Sequence, residues 1–485
     1  MTPDQPISLA VAVFCGILCW TLPMRSAIIP LCVAMCAYPS ASTVPPQNLQ
    51  LTVPRIVGLL LMLRCLLTPE VRKRFKWMWV DSAAVFYFLL LMTSQLMAAQ
   101  ESEGEMTIGS AVNKQLGFFI SALIPFYCVR FLIVDRPTLY TFFKGFMWTA
   151  AALLPLAMYQ SATGDSPYRI IMENDANNWR AIKAQWPERR AFLGMNIHRA
   201  AAPFQQAIMF GWFFAIQVPW CTNLYFEKRK LRPWIIGWLL LPIGVICTVS
   251  SGPMMMVGLS FMFLAMFPVR HLWKGIFGSA FAVVLSISMF AKRGLLEIVS
   301  SFGLDPTSGY YRVNLMNFVL GKSINDGVVD PLHGHWLAGF GRVPKEKFGL
   351  LTDLCIQWIF LTVLNGLMGT VGFCLLVIAC GVNLWRANKK AVDLADQWLC
   401  WSLFAILCAS LLAMQLVALF AEMFYIYHVF LALCANAILI CGSESTTDRM
   451  VGVMAEMNGQ KVLLRYRLKP GQRLALVRPN TGVTG

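Results

Sequence analysis

The sequence predicts an all-α polytopic membrane protein, and three observations predict it. Hydrophobic residues make up 58% of the 485-residue chain and charged residues only 13%, more apolar surface than a soluble core of this size could hide. Mean hydropathy is +0.61. Apolar runs suited to crossing a bilayer recur at 7–23, 26–39, 51–67, 81–99, 116–134, 140–160, 201–221, 233–250, 253–269, 272–290, 356–385, 397–420 and 423–441. The reading is therefore a transmembrane domain over 1–441 with about 12–13 helices, external loops at 161–200 and 291–355, and a small cytoplasmic tail at 442–485.

Taken in order, the first run follows Met1 to Pro6, which carry no Lys or Arg, so a cleaved signal peptide is not expected. The second and third runs are short. The break Ser250-Ser251-Gly252-Pro253 interrupts a stretch about twice a bilayer's width and reads as a tight hairpin. The 34 Gly and 25 Pro are spread through runs and loops alike, as membrane helices allow. The 15 Cys form no Cys-x-x-Cys pair, sit mostly inside apolar runs and read as small buried hydrophobes.

Positive charge orients the bundle. Arg72, Lys73, Arg74 and Lys76 crowd one connection, Lys228, Arg229, Lys230 and Arg232 another, with Arg270 and Lys274, then Arg386, Lys389 and Lys390, marking two more. Strict alternation puts all of them on one side, which is then cytoplasmic. The connection with Glu101, Glu103 and Glu105 and the long polar segment 291–355 fall on the opposite side. Segment 161–199 also falls outside, yet holds Arg169, Arg180, Lys183, Arg189, Arg190 and Arg199. A solvated loop explains this; so does an anion site, because a guanidinium offers a planar fork to two phosphate oxygens.

In the tail, residues 461–478 alternate apolar and basic around Pro470-Gly471, which suits a hairpin turning there and lying on an anionic leaflet. No nucleic-acid motif accompanies the charge of +16, and no nucleic-acid partner is expected.

No P-loop, dinucleotide fingerprint, nucleophile elbow or paired metal motif is present. The runs hold few ionisable groups beyond Arg55, Arg64, Arg130, Lys144 and His428, with Arg64 and Arg130 read as snorkelling from helix ends. Asp81 and Glu422 stand only at run edges, which argues against a proton- or sodium-driven carrier. Function then concentrates in the external loops. There Arg199 precedes a span, Tyr311-Arg312 follows Gly309-Tyr310, and His333-Gly334-His335-Trp336 and Asp353 come next. An Arg pair for a pyrophosphate leaving group, His335 or Asp353 to take a hydroxyl proton, and Trp336 and Tyr311 against sugar rings compose a glycosyl-transfer site. Trp179, Trp186, Trp336 and Trp358 also read as interfacial anchors. His333 and His335 lack a clear third ligand, so no metal and no cofactor is assigned.

The layout, with His198–Gly211 (HRAAAPFQQAIMFG), the 250–253 hinge, Tyr311-Arg312, the run from His335 to Gly341 and Gly366-Leu367-Met368-Gly369, resembles the O-antigen ligase and polysaccharide polymerase superfamily of bacterial inner membranes. The resemblance covers roughly residues 80–440 and excludes the tail. It implies metal-independent glycosyl transfer on the outer face, from a polyprenyl-pyrophosphate-linked glycan to a glycan or lipid acceptor, with polysaccharide export machinery as a further partner. Arg199 carries over as a pyrophosphate-binding residue and Arg312 as a second basic group. The chain departs from the family where members place an Arg in the hinge, here Ser251 or Gly252, and where ligases place His-Asn, here Cys355-Ile356. The second departure favours a polymerase over a ligase; a lipid-linked glycan transporter is the reading from another class.

Overall fold

The computed structural model describes residues 4–39, 42–44, 51–101, 107–168, 189–192, 194–228, 236–272, 275, 306–324, 329–334, 354–391, 393–443, 449–457 and 460–468. Among them, seven helices are long and apolar enough to cross a membrane: Trp79–Glu101, Ile108–Leu132, Arg136–Thr163, Ala207–Leu224, Gln357–Lys390, Leu394–Ala413 and Glu422–Cys441. The chain is thus an all-α polytopic membrane protein. The expected span at 272–290 lies almost wholly outside the described residues.

Helices α1 (Asp4–Thr21), α2 (Ile29–Ala37) and α3 (Val53–Leu67) form an N-terminal layer, with a two-residue ladder pairing Thr43 with Thr52 ahead of α3. The short α4 (Pro69–Arg74) leads to α5 (Trp79–Glu101). Helix α6 (Ile108–Phe118) continues through a π-turn at Phe119–Leu123 into α7 (Ile124–Leu132). Pro125 explains the bulge: it has no N–H for the carbonyl a turn earlier, and the freed turn widens. Helix α8 (Arg136–Thr163) starts on the Asp135 side chain, which accepts from the Thr138 N–H at 2.9 Å, and ends at Gly164 with φ of 85°.

Helix α9 (Ala207–Lys228) is the axis of the bundle. Its Trp212, Phe213, Phe214 and Trp220 are almost completely buried, and Trp220 stacks on Phe143 of α8 at 4.9 Å between ring centres. Helices α10 (Leu241–Cys247) and α11 (Ser251–Ala265) meet at the 248–250 break. The expected hairpin is found. At the far ends of this pair, Trp238 donates to Thr222 near the end of α9 at 3.2 Å, and the carbonyl of Phe263 accepts from Trp401 at 2.7 Å. The break itself lies at the start of α9, where the Ala200 N–H donates to the Cys247 carbonyl at 2.9 Å.

Within the polar segment 291–355, part of the chain is helical: α12 (Pro306–Asn317) runs into a π-turn at Phe318–Ser323. Leu315 and Val319, four residues apart, bury one face against Ile356, Ile359 and Val363 of the following helix and form a small second core. That helix, α13 (Gln357–Lys390), is broken at Gly366, where φ is 58° and ψ −156°. Helices α14 (Leu394–Ala413) and α15 (Ala421–Ser443) close the bundle. Gly372 lets α13 press on Tyr87 of α5, since a Cβ there would meet the Tyr87 ring at 2.6 Å.

One end of this bundle gathers the basic connections. Arg74 lies 3.8 Å from Asp135, Arg136 pairs with Asp396, and Arg270 donates to Gln397 at 2.8 Å, while Lys389 and Lys390 close α13 just before α14 begins. Connection 229–235 lies outside the described residues. Arg130 does not snorkel. It is fully buried at this end in a fork to Asp81, at 2.8 and 2.6 Å, and it also donates to Asn436 and the Lys76 carbonyl. A guanidinium with a buried carboxylate in reach gains more from the fork than from stretching to the interface. Arg64 likewise turns inward and caps the end of α1 at the Cys19 and Leu22 carbonyls. Eleven of the fifteen cysteines are buried, as small hydrophobes are.

The tail holds a strand pairing that was not expected. Strand β5 (Arg449–Met457) pairs antiparallel with β6 (Gln460–Leu468), so residues 461–468 have a preceding partner; the expected turn at Pro470-Gly471 lies outside the described residues. Between the paired Met457 and Gln460 the sequence reads Asn-Gly, a hairpin signal because both residue types tolerate positive φ.

Candidate functional site

Toward the end opposite the basic connections stand two helix breaks, each filled by a loop. At the first, the hairpin β3 (Arg189–Phe192) to β4 (Met195–His198) delivers Arg199 into the 248–250 break. Arg189 donates to His198 at 3.0 Å. Arg199, only 9% exposed, donates from Nη2 to Ser250 Oγ at 2.7 Å and from Nε to the Thr248 carbonyl at 3.3 Å. Chain reversal here forces positive φ on Val249 (43°) and Ala202 (46°), costly for residues with a Cβ. Gln160, wholly buried at the end of α8, holds the second strained turn: its Oε1 accepts from the N–H groups of Ala201 and Ala202 at 2.9 and 2.6 Å. Beyond α8, Tyr168 donates to the Ala37 carbonyl at 3.0 Å, and burial pushes its phenol up to about 12.

Arg312 approaches from the other side. Carried on α12 beside half-buried Tyr311, it donates to the Leu416 carbonyl at 2.9 Å. The next residue, Val417, lies against Gly252, two residues beyond the Ser250 that holds Arg199. The two arginines singled out in the sequence therefore stand at one end of the bundle, linked through a short run of contacts.

The second break is at Gly366. In an unbroken helix the N–H groups of Leu367 and Met368 would donate to the carbonyls four residues back. Here they donate to the Pro331 and Leu332 carbonyls at 2.8 and 3.2 Å, so the loop 329–334 caps the second half of α13. The Leu364 carbonyl released in exchange accepts from Gln95 Nε2 at 2.9 Å, and Gln95 Oε1 accepts from Lys114 at 3.0 Å. Within the loop, Asp330 Oδ1 accepts from the backbone N–H groups of Leu332 and His333 at 2.7 and 3.1 Å, and Ser94 donates to the His333 carbonyl at 3.1 Å. Gly334, at φ 84°, has no room for a Cβ, which would meet the Val363 carbonyl oxygen at 2.6 Å. His333 is 2% exposed, with Nε2 2.9 Å from Glu101 Oε1 and 3.5 Å from Asp330 Oδ1.

Of the residues expected from sequence, Arg199, Tyr311 and Arg312 are located here. His335, Trp336 and Asp353 lie outside the described residues, as do Trp179 and Trp186. Trp358 is no simple interfacial anchor: it packs edge-on against Phe373 at 5.9 Å inside the bundle. Gln160, Gln95 and Asp330 were not singled out, and Glu101 only as part of an acidic external connection. Gln95 and Gln160 carried one usable signal, an amide inside a long apolar run, which membrane helices keep only where it finds a partner. No protein-family model matches the chain, and no curated protein matches it, so what the site does is read from its own residues.

Proposed function

We propose that the protein is a membrane glycosyltransferase that polymerises lipid-linked polysaccharide repeat units, of O-antigen or exopolysaccharide type, on the outer face of a bacterial inner membrane. The observation that carries this reading is that Arg199 and Arg312 stand at the same end of the bundle, opposite the basic connections, which the positive-inside rule makes the outer end. A polyprenyl-pyrophosphate presents its phosphates at that depth, and two guanidinium groups suit them. The shorter helices α1, α2, α3, α10 and α11, with residues 272–290, bring the crossings to about 12–13 in this reading, and the tail lies in the cytoplasm.

In the proposed reaction the acceptor hydroxyl oxygen attacks the anomeric carbon of the donor. The bond to the pyrophosphate oxygen breaks, and that group leaves with the electron pair. Arg199 and Arg312 stabilise the charge that develops on it, and the hydroxyl proton passes to His335 or Asp353. The acceptor is a second glycan for a polymerase, a lipid core for a ligase. The Cys355-Ile356 pair, where ligases carry His-Asn, favours the polymerase.

Deleting the gene and sizing lipid-linked intermediates beside extracellular glycan tests the proposal. Single repeats accumulating on lipid, with long polymer gone, is the expected result. Long polymer retained on its carrier but missing from its acceptor would identify a ligase. An unchanged ladder would refute glycosyl transfer and return the transporter reading.

A further inference from the structure

We propose that Glu101, Asp330 and His333 bind one divalent cation, with Zn²⁺ the best match to the donor set, which clamps the loop 329–334 to α5 and to the broken helix α13. One atom from each of the three residues lies within 4.8 Å of the others. Tetrahedral bonds of about 2.0–2.2 Å place neighbouring donors about 3.3–3.6 Å apart. The separations from His333 Nε2, 2.9 Å to Glu101 and 3.5 Å to Asp330, lie close to this, and the two carboxylates, within 4.8 Å of each other, can close on an ion through the exposed Glu101 side chain.

Asp330 Oδ1 accepts two backbone N–H groups, yet it and Glu101 still share one ring nitrogen. Two carboxylate oxygens converge on the same ring nitrogen, and one N–H serves only one of them well. With Nε2 on an ion the ring proton sits on Nδ1, which is buried and meets no hydrogen-bond partner among the described residues, so the ion's bonds to the ring and to both carboxylates must outweigh one orphan N–H. A neutral imidazole that turns its Nε2 lone pair to a cation, with both carboxylates on the same ion, removes the carboxylate repulsion. One nitrogen and two oxygens also make a three-ligand set that leaves a fourth position open. His333 is held for this by backbone: its N–H donates to Asp330, its carbonyl accepts from Ser94, and the carbonyl before it caps α13. The exposed side of the cluster, through Glu101, gives an ion its entry path.

The clamp is independent of the glycosyl-transfer reading, and its test does not need that activity. The full chain, purified in nanodiscs without a polyhistidine tag and stripped with chelator, is titrated with Zn²⁺ alone and its bound metal counted after desalting. The proposal expects about one more equivalent in the wild type than in His333→Ala, at least tenfold weaker binding in Glu101→Gln, and a Zn²⁺-dependent rise in melting temperature that both variants lose. Glu101 is exposed, so Glu101→Gln keeps the test valid if His333→Ala fails to fold. Equal metal content and an equal thermal response in wild type and folded Glu101→Gln would overturn the site.

Discussion

Replacing Gly366 by alanine should undock the loop 329–334 without unfolding the bundle. Its φ of 58° and ψ of −156° lie where a residue with a Cβ pays of order 1–3 kcal/mol. The added methyl would also run into the backbone of Leu332 and meet the His333 nitrogen at 2.5 Å. Backbone cannot swing aside as a flexible side chain does, so the loop must lift. Lifting breaks the bonds from Leu367 to Pro331 and from Met368 to Leu332, each worth about 0.5–1.5 kcal/mol net. Together the docked arrangement loses about 2–6 kcal/mol, at least roughly thirtyfold in its equilibrium. Hydrogen exchange read by mass spectrometry over 329–334 and 364–370 measures this directly. Gly258→Ala in α11 is the control, because a Cβ there meets nothing within 4 Å. Exchange protection at 329–334 unchanged from wild type, in a Gly366→Ala protein that melts normally, would refute the reasoning.

Three further outcomes follow from the same geometry. Asp81→Asn leaves the fully buried Arg130 without its carboxylate and should cost about 3–5 kcal/mol, seen as a lower melting temperature in detergent; Asp81→Leu with Arg130→Met should recover much of it. Gln160→Leu strips the acceptor from the N–H groups of Ala201 and Ala202, about 1–3 kcal/mol for each group left unsatisfied, whereas Gln160→Glu keeps an acceptor and should melt closer to wild type. Arg199→Lys keeps the charge but loses the fork, so glycan chains should shorten sharply at unchanged protein levels, and Arg312→Ala should do the same; normal chain length in both would remove the arginines from the proposed chemistry.

Much of the fold was legible because membrane crossing is written in composition. Length and apolarity located α5 to α9 and α13 to α15 closely, and the charged connections among the described residues fell on one end as alternation required. What composition could not supply was partnership. Arg130 looks the same in sequence whether it snorkels or binds Asp81, since the carboxylate is 49 residues away. The pairing of β5 with β6 was missed because alternation fixes a strand but not its partner; Asn-Gly between the paired Met457 and Gln460 was the sequence signal for it.

The site obeys the same division, and physics says why. A helix broken inside a membrane releases N–H and C=O groups that no water meets, so something in the protein must take each of them. The sequence advertised the breaks, through Ser250-Ser251-Gly252-Pro253 and through the glycines at 366 and 369. It could not say that Arg199 and Ala200 would answer the first, or that Pro331 and Leu332 would answer the second. Those answers come from segments about 35 to 50 residues away along the chain, and they draw the Arg199 loop and the His333 loop into the same end of the bundle. The demand for backbone partners thus does two jobs. It stabilises two discontinuous helices, and it gathers Arg199, Arg312, Glu101, Asp330 and His333 toward the end of the bundle opposite the basic connections.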